Sequence, residues 1–427
     1  MASVIFNRFR FAAPPRLLLI AAAVLCFAEA ATAQEALQQS LAGEAAEEQA
    51  RQAATSIGYY NLMTGPVAWR FSAGLDTEYN DNVNLRPNNP DGDFIFRPSV
   101  DTSLLWPVTM NNSLNFSMGL GYSFYLRHTE LDQLYITPGS QLSFDIYVKD
   151  FKLNLHDRLA VNEYAYGNPG LTNGANLVRL ENTVGASGLW DLNQAAVTLG
   201  YDHVNYLSLE GNQLPDSSSE NLLATAGIRF WPELMTGIEA GGGLFNSSQS
   251  AIQPYPNASQ WNTGLFLQWQ VSEYLTTEFH AGYTVYSPEA KGIFTNATPV
   301  TGLYFDLSLT HQLNKFLTYT LSAGRSTDYA NYGVPDEYYY VKFEPQWNVL
   351  HNFSLTTPIS WEDGKQLSGS SLSQLTFDQI SAEISLGRQL TKKLSASLYD
   401  QIVHETANQA NARYTVNIVG LNLSYQF

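Results

Sequence analysis

Cysteine is almost missing from this chain: the single one in 427 residues is Cys26, inside an apolar N-terminal run. A chain without cysteine beyond that point has no disulfide framework and no thiolate metal site. Long apolar runs are missing too. After the N-terminal one, none reaches the ~18 residues that a transmembrane helix needs. Charge is scarce at 14%, and basic charge most of all, with 22 Lys and Arg against 39 Asp and Glu. So acidic a chain is a poor partner for nucleic acid. Catalytic signatures are lacking as well: no nucleophile elbow, no metal-spaced histidine pair and no Gly-rich phosphate loop.

The first 33 residues read as a secretory signal. Arg8, Arg10 and Arg16 make a positive start, Leu17–Phe27 is the apolar core, and Ala31-Thr32-Ala33 offers a small-residue cleavage site. The alternative, a membrane anchor, needs a longer run. Leu25 is bulky where a lipoprotein signal wants a small residue before Cys26. Cleavage would remove three Arg and one Glu, leaving 19 basic and 38 acidic residues and a net charge of -19. Residues 34–66 form an expected periplasmic lead-in, rich in Ala, Gln and Glu between Glu35 and Ile57 and compatible with a short helix. It is too short for a plug domain.

What the chain has instead is aromatic residues, 13% of the total with 25 Tyr and 22 Phe, at a mean hydropathy of -0.17. From Val67 onward, segments alternating at period two are joined by short polar turns and longer loops in turn. The short turns fall at Met110–Asn112, Lys149-Asp150, Asp191–Asn193, Pro232–Leu234, Ser272–Tyr274, Asn314–Phe316, Leu350–Asn352 and Thr391–Lys393, about forty residues apart. Between them lie loops dense in Gly, Pro, Asn and Ser, such as Asn80–Asp93 and Ala165–Asn176. A propeller shares that period but needs four strands per repeat; here each repeat holds two. The spacing predicts an all-β transmembrane antiparallel up-and-down barrel of about 18 strands over residues 67–427, with short periplasmic turns and long extracellular loops.

The faces separate well. In Ser113–Arg127, Leu114, Phe116, Met118, Leu120, Tyr122 and Phe124 point one way, and Asn115, Ser117, Gly119, Gly121 and Ser123 the other. Trp69, Trp106, Trp190, Trp231, Trp269 and Trp347 lie near short turns or the start of the first strand, the pattern of an aromatic belt at one membrane interface. The last strand, Tyr414–Phe427, alternates strictly and stops on Phe427. A bare apolar edge would aggregate in a soluble sheet, whereas a closed barrel has no edge. This ending, with Tyr425 and Phe427 on one face, resembles the C-terminal assembly signal of outer-membrane barrels.

Carrying the alternation through every strand predicts a lumen lined by Asp76, Glu78, Arg97, Asp101, Asp145, Lys152, Arg158, Arg179, Glu181, Asp202, Arg229, Glu239, Glu278, Asp306, Lys342, Glu344 and Glu383, with Arg70, Arg127 and Glu362 as further candidates. These charges have two readings: structural partners across strands, or the field of a mildly cation-favouring pore. Tyr125, Tyr147, Phe266, Tyr286, Tyr304 and Tyr340 share the inner phase, as wall filling or as a stacking track for sugars. His156 and His280 also point inward; His128, His203, His311, His351 and His404 lie near strand ends or loops. No catalytic residue, metal site or cofactor is expected, and Asn80–Asp93, though rich in Asp and Asn, reads as a surface loop rather than a calcium site.

The run Ser72-Ala73-Gly74-Leu75-Asp76-Thr77-Glu78-Tyr79-Asn80-Asp81-Asn82-Val83 resembles the opening of the β-barrel porin-2 family of Gram-negative outer-membrane proteins. There an acidic-aromatic strand end also leads into the first extracellular loop. The resemblance implies an outer-membrane porin-like barrel and brings no catalytic residues with it. The expected function is passive diffusion of small hydrophilic solutes, and the enzyme class is set aside. The alternatives are a conduit for exported polysaccharide and a non-conducting structural or adhesive barrel. Expected partners are outer-membrane lipid and lipopolysaccharide, the barrel assembly machinery and the solutes themselves, but not nucleic acid; homo-oligomerisation stays open.

Overall fold

The computed structural model describes residues 60–137, 139–162, 178–209, 216–248, 257–289, 299–329, 335–350, 353–366 and 375–427. The leader, most of the lead-in (34–59), the loop Ala165–Asn176 and His351 lie outside the described residues.

Strands follow one another antiparallel around the wall: Val67–Asn80, Asp93–Pro107, Asn112–Tyr125, a two-part strand (Gln133–Ile136 and Ser140–Val148), Phe151–Asn162, Arg179–Asp191, Ala195–Ser208, Ser217–Trp231 and Leu234–Ser247. They continue with Ala258–Ser272, Leu275–Pro288, Val300–Gln312, Leu317–Tyr329, Pro335–Leu350, a second two-part strand (Phe353–Thr356 and Ile359–Gln366), Thr376–Gln389, Leu394–Ala407 and Tyr414–Gln426. With each two-part strand counted once, there are eighteen. The last pairs with the first, Asn422 opposite Asp76, and the barrel closes. Closure gives every interior strand two hydrogen-bonding neighbours, as lipid demands.

The interruptions have local causes. Pro358 has no N–H to give the ladder, and the strand resumes at Ile359 after Thr357 and Pro358. Its carbonyl still accepts from the Glu383 N–H at 2.9 Å. At the other break the Thr137 N–H bonds to the Gly119 carbonyl at 3.0 Å, while Ser140 Oγ accepts from the Gly119 N–H at 3.1 Å. The wall stays satisfied across both gaps.

Burial alternates with the sequence pattern. Gly119, Gly121, Ser123 and Tyr125 are buried, and Leu120 and Phe124 are exposed on the outer wall. Trp106, Trp190, Trp231, Trp269 and Trp347 are exposed near the short-turn end. Trp231 keeps to that belt because the register shifts by one between Arg229 and Trp231. Tyr425 and Phe427 pack edge to face, ring centres 5.5 Å apart.

Ahead of the barrel, Leu62–Thr64 folds back on Val67–Trp69. The Asn61 amide donates to the Phe427 and Phe71 carbonyls at 2.5 and 2.9 Å, and its oxygen accepts from the Phe71 N–H at 3.0 Å. One side chain thus ties the end of the lead-in to both strands of the closing seam.

Candidate functional site: the lumen wall

Strand register puts the seventeen charges expected in the lumen on one common face of the wall, and most are brought together in compact clusters rather than spread as free charge. Nearest the seam, Arg97 pairs with Glu78 at 2.8 Å and lies 3.9 Å from Asp76. Tyr399, from a strand on the far side of the seam, donates to Glu78 at 2.9 Å and to Asp76 at 3.1 Å. The ring lies across the last strand at Gly420, where a Cβ would stand 2.3 Å from Cζ of Tyr399. Asp101 is half-buried beside them, with Arg70 as its nearest opposite charge.

A second cluster runs as a chain. Lys152 Nζ is 3.2 Å from Asp145, the Asn154 amide donates to Asp145 at 2.9 Å, and His156 bonds Asn154 at 2.8 Å and Asp202 at 2.7 Å. The third centres on Glu239, whose side chain has no exposed surface. It accepts from His280 at 2.7 Å and from the Tyr304 hydroxyl at 2.6 Å. Tyr340 bonds Asp306 beside it, Lys342 pairs with Glu362 at 3.2 Å, and Arg179 pairs with Glu181. Arg229 closes on Asp191 at 2.8 Å near a short turn. Charge-assisted pairs such as these are the strong kind of hydrogen bond, and within the low-dielectric wall they favour structure over free field.

Two inner-phase acids stand apart. Glu278 and Glu344 are exposed, and neither makes an ion pair or side-chain hydrogen bond among the described residues. Glu383 and Arg158 are half-buried on the same phase.

Among the described residues the six inner-phase aromatics do not form a continuous track. Tyr125, Phe266, Tyr286 and Tyr304 are buried in the wall, and their rings serve packing and hydrogen bonding. Phe266 stacks on His280 with centres 6.1 Å apart. Tyr147 is exposed, and Lys152 lies over its ring. A sugar track needs free ring faces in series.

The loop after the first strand also departs from expectation. It is a surface loop only at its tip: residues 86–90 are exposed, while Asn82 and Val83 are buried, at 1% and 6% exposure. Val83 packs on Ile95 and Tyr125, while Leu85 packs on Val403, Tyr414, Val416 and Ile418 across the seam. The Asn82 amide donates to the Arg86 and Thr415 carbonyls, both at 2.9 Å. Leu85 holds φ at 46°, a conformation a leucine keeps only when its surroundings impose it. The sequence carried a signal for this. Val416, Ile418, Val419 and Leu421 put apolar side chains on both phases of the last strand, the mark of a strand covered on both faces.

Inward placement of charge as the default also has exceptions. On the outer phase, Glu220 accepts from Tyr201 at 2.6 Å and bonds His203 at 2.8 Å. Asn182 donates to Asp157 at 2.7 Å, and Arg325 pairs with Glu337 at 2.8 Å. All lie in the half of the wall nearer the long loops, and each has a partner.

No family model matches the chain, and no curated protein does. Among solved structures it is similar to OpdQ of Pseudomonas aeruginosa (9% identity, 84% of this chain and 98% of that one, TM-score 0.48). It is similar to P. aeruginosa OpdL at 11% identity, 84% and 98% coverage and TM-score 0.45, and to Acinetobacter baumannii OccAB3 at 11%, 84% and 99%, and 0.44. These likenesses are weak, and the architecture rests on the chain's own pairing: eighteen strands, a closed seam, apolar side chains outside and polar ones within. The chain is a closed eighteen-stranded antiparallel β-barrel.

Proposed function

We propose that this barrel is a porin-like channel for passive diffusion of small hydrophilic solutes, with a mild preference for cations. The observation that carries the reading is the inner wall itself. Eighteen strands enclose more space than side chains fill, and polar side chains line most of the inner phase, apart from apolar patches such as Val403, Val416 and Ile418 beneath the first loop. The preference for cations is supported by the contrast between acids and bases on that phase. Lys152, Arg97, Arg179, Arg229 and Lys342 are paired with carboxylates; among the described residues the inner-phase acids Asp101, Glu278, Glu344 and Glu383 make no ion pair, against the two bases Arg70 and Arg127. Uncompensated acids in a narrow, low-dielectric passage attract cations. The infolded first loop supports selection by size at the extracellular end.

A track for exported polysaccharide finds less support, since the inner aromatic rings are mostly buried. The test is swelling of liposomes that carry the folded barrel, in small neutral, cationic and anionic solutes of matched size. Passive diffusion predicts swelling that falls with solute size and is fastest for the cation. Equal impermeability to all three contradicts it.

A further inference from the structure

Near the short-turn end, the inner wall has a groove of about 470 Å³, within the range of small-ligand sites. Its floor is one cross-strand row. Ser354 stands opposite Gly387, Gly387 opposite Ser397, Ser397 opposite Asn422, and Asn422 opposite Asp76. Gln389 and Ser395 form the next pair down, and Asn348 stands at the groove's edge. The row is on the inner phase because Ser397 and Tyr399, two residues apart on one strand, share a face, and Tyr399 reaches into the Asp76 and Glu78 cluster.

Three features distinguish the groove from the rest of the wall. Its inner-phase side chains are neutral. Arg388 also borders it, but pairs with Phe353 and stacks on that ring at 4.7 Å, and it shares the phase of exposed Ile384 and Leu386 on the outer wall. Asp76, at the end of the row, is engaged by Arg97 and Tyr399. Next, the polar groups are unspent: the side chains of Asn348, Ser354, Ser395, Ser397 and Asn422 have no hydrogen-bond partner among the described residues. Gln389 has committed its amide nitrogen, to the Thr391 carbonyl at 2.6 Å. Last, the floor is lowered in the middle. A Cβ at Gly387 would stand 2.7 Å from Ser354 Oγ, so glycine at 387 keeps the floor beside the Ser354 hydroxyl clear. The side chains of Ser354 and Ser397 are two strand spacings apart, roughly 10 Å.

From this juxtaposition we propose that the groove is a binding subsite for a neutral polyhydroxylated solute, a mono- or disaccharide, at the periplasmic mouth. A cluster of uncharged hydroxyls and amides on a concave wall offers donors and acceptors in both senses to a sugar's hydroxyls. On the inner phase of the groove a charged solute finds no opposite charge, Arg388 being held on the outer phase over Phe353. Phe316, at the groove's rim and exposed, adds an apolar surface for the C–H face of a ring. The proposal names a substrate class for the channel reading and rests on it.

The test is calorimetric titration of the full-length barrel, folded in detergent, with maltose and with gluconate, alongside single-channel conductance in KCl. Saturable binding of maltose, absent for gluconate, is expected. The double variant Ser397→Val with Asn422→Leu should weaken maltose binding at least about tenfold, the scale of losing two neutral hydrogen bonds, while leaving KCl conductance within about twofold. Gly387→Val should do the same by filling the floor. Should the double variant fail to fold, Ser397→Ala alone should still weaken binding measurably. No saturable maltose binding, equal binding of gluconate, or variants that bind like the parent overturn the proposal. A barrel that conducts but does not bind maltose overturns the groove alone. One that binds maltose but does not conduct overturns the channel reading and keeps the groove.

Discussion

The Tyr304 hydroxyl reaches Oε1 of Glu239 at 2.6 Å over two intervening strands. It can do so because both strands carry glycine beneath it: a Cβ at Gly264 would stand 2.2 Å from the hydroxyl oxygen, and one at Gly282 2.5 Å from the ring. The phenol lies flat on the wall and caps a carboxylate that has no exposed side-chain surface. The same device recurs where Tyr399 lies over Gly420 and caps Asp76 and Glu78. Acids held in this way belong to the wall's own bonding; on the proposed channel reading the exposed ones set its field.

Removing that cap should therefore cost stability. Tyr304→Phe leaves a buried carboxylate short of one donor, a loss of about 1–3 kcal/mol. Urea unfolding of the barrel in detergent or lipid should show a lower midpoint with an unchanged slope. A midpoint equal to the parent's would show that the hydroxyl is not needed by Glu239.

The two classes of acid should separate in their effect on ions. Glu278→Gln, at an exposed unpaired site, should shift the reversal potential towards neutrality. Gln379→Leu, which strips the amide that donates to buried Glu405 at 3.0 Å, should cost stability but leave selectivity nearly unchanged. Salt should shrink the Glu278 effect, because exposed charges are screened beyond about 8–10 Å at physiological ionic strength. A Glu278→Gln barrel with the parent's reversal potential would assign the field to other groups.

The infolded first loop should act as a restriction. Leu85→Asp places a charge against Val403, Val416 and Ile418 and should release the loop from the seam. Single-channel conductance should then rise, on the order of twofold, because this loop occupies lumen space. An unchanged conductance would place the narrowest section elsewhere.

How much of this was legible in the sequence differs from feature to feature. The strand count and the faces were, because period-two alternation survives in segments such as Asn112–Tyr125, and short turns recur at near-constant spacing. The inner phase of Glu239 or Arg97 followed from the same count. What could not be read was which charges meet. Tyr304 and Glu239 are 65 residues apart, and their contact depends on the register of three successive hairpins and on glycine beneath the ring. The first loop was read only in part, its exposed tip but not its buried start: Asp, Asn and Pro dominate its composition, while the course of its start is set by two apolar residues, Val83 and Leu85, and by an apolar inner face over 300 residues away. Outward charges such as Glu220 were missed because the cost of charge in hydrocarbon falls towards the interfaces, and alternation carries no depth.

At the closing seam, Asn61→Ala should remove three hydrogen bonds, to the Phe427 carbonyl and to both backbone groups of Phe71. A loss on the order of 1–3 kcal/mol is expected, since the freed backbone groups can turn to water. Heat-dependent electrophoretic migration should show the variant unfolding at a lower temperature than the parent. Identical migration would mean that strand pairing alone holds the seam.

Planar-bilayer recording of the folded barrel under a KCl gradient tests the central claim most directly. The account predicts steady single-channel conductance with a reversal potential on the cation-selective side. A correctly folded, heat-modifiable barrel that carries no current at any voltage would contradict it.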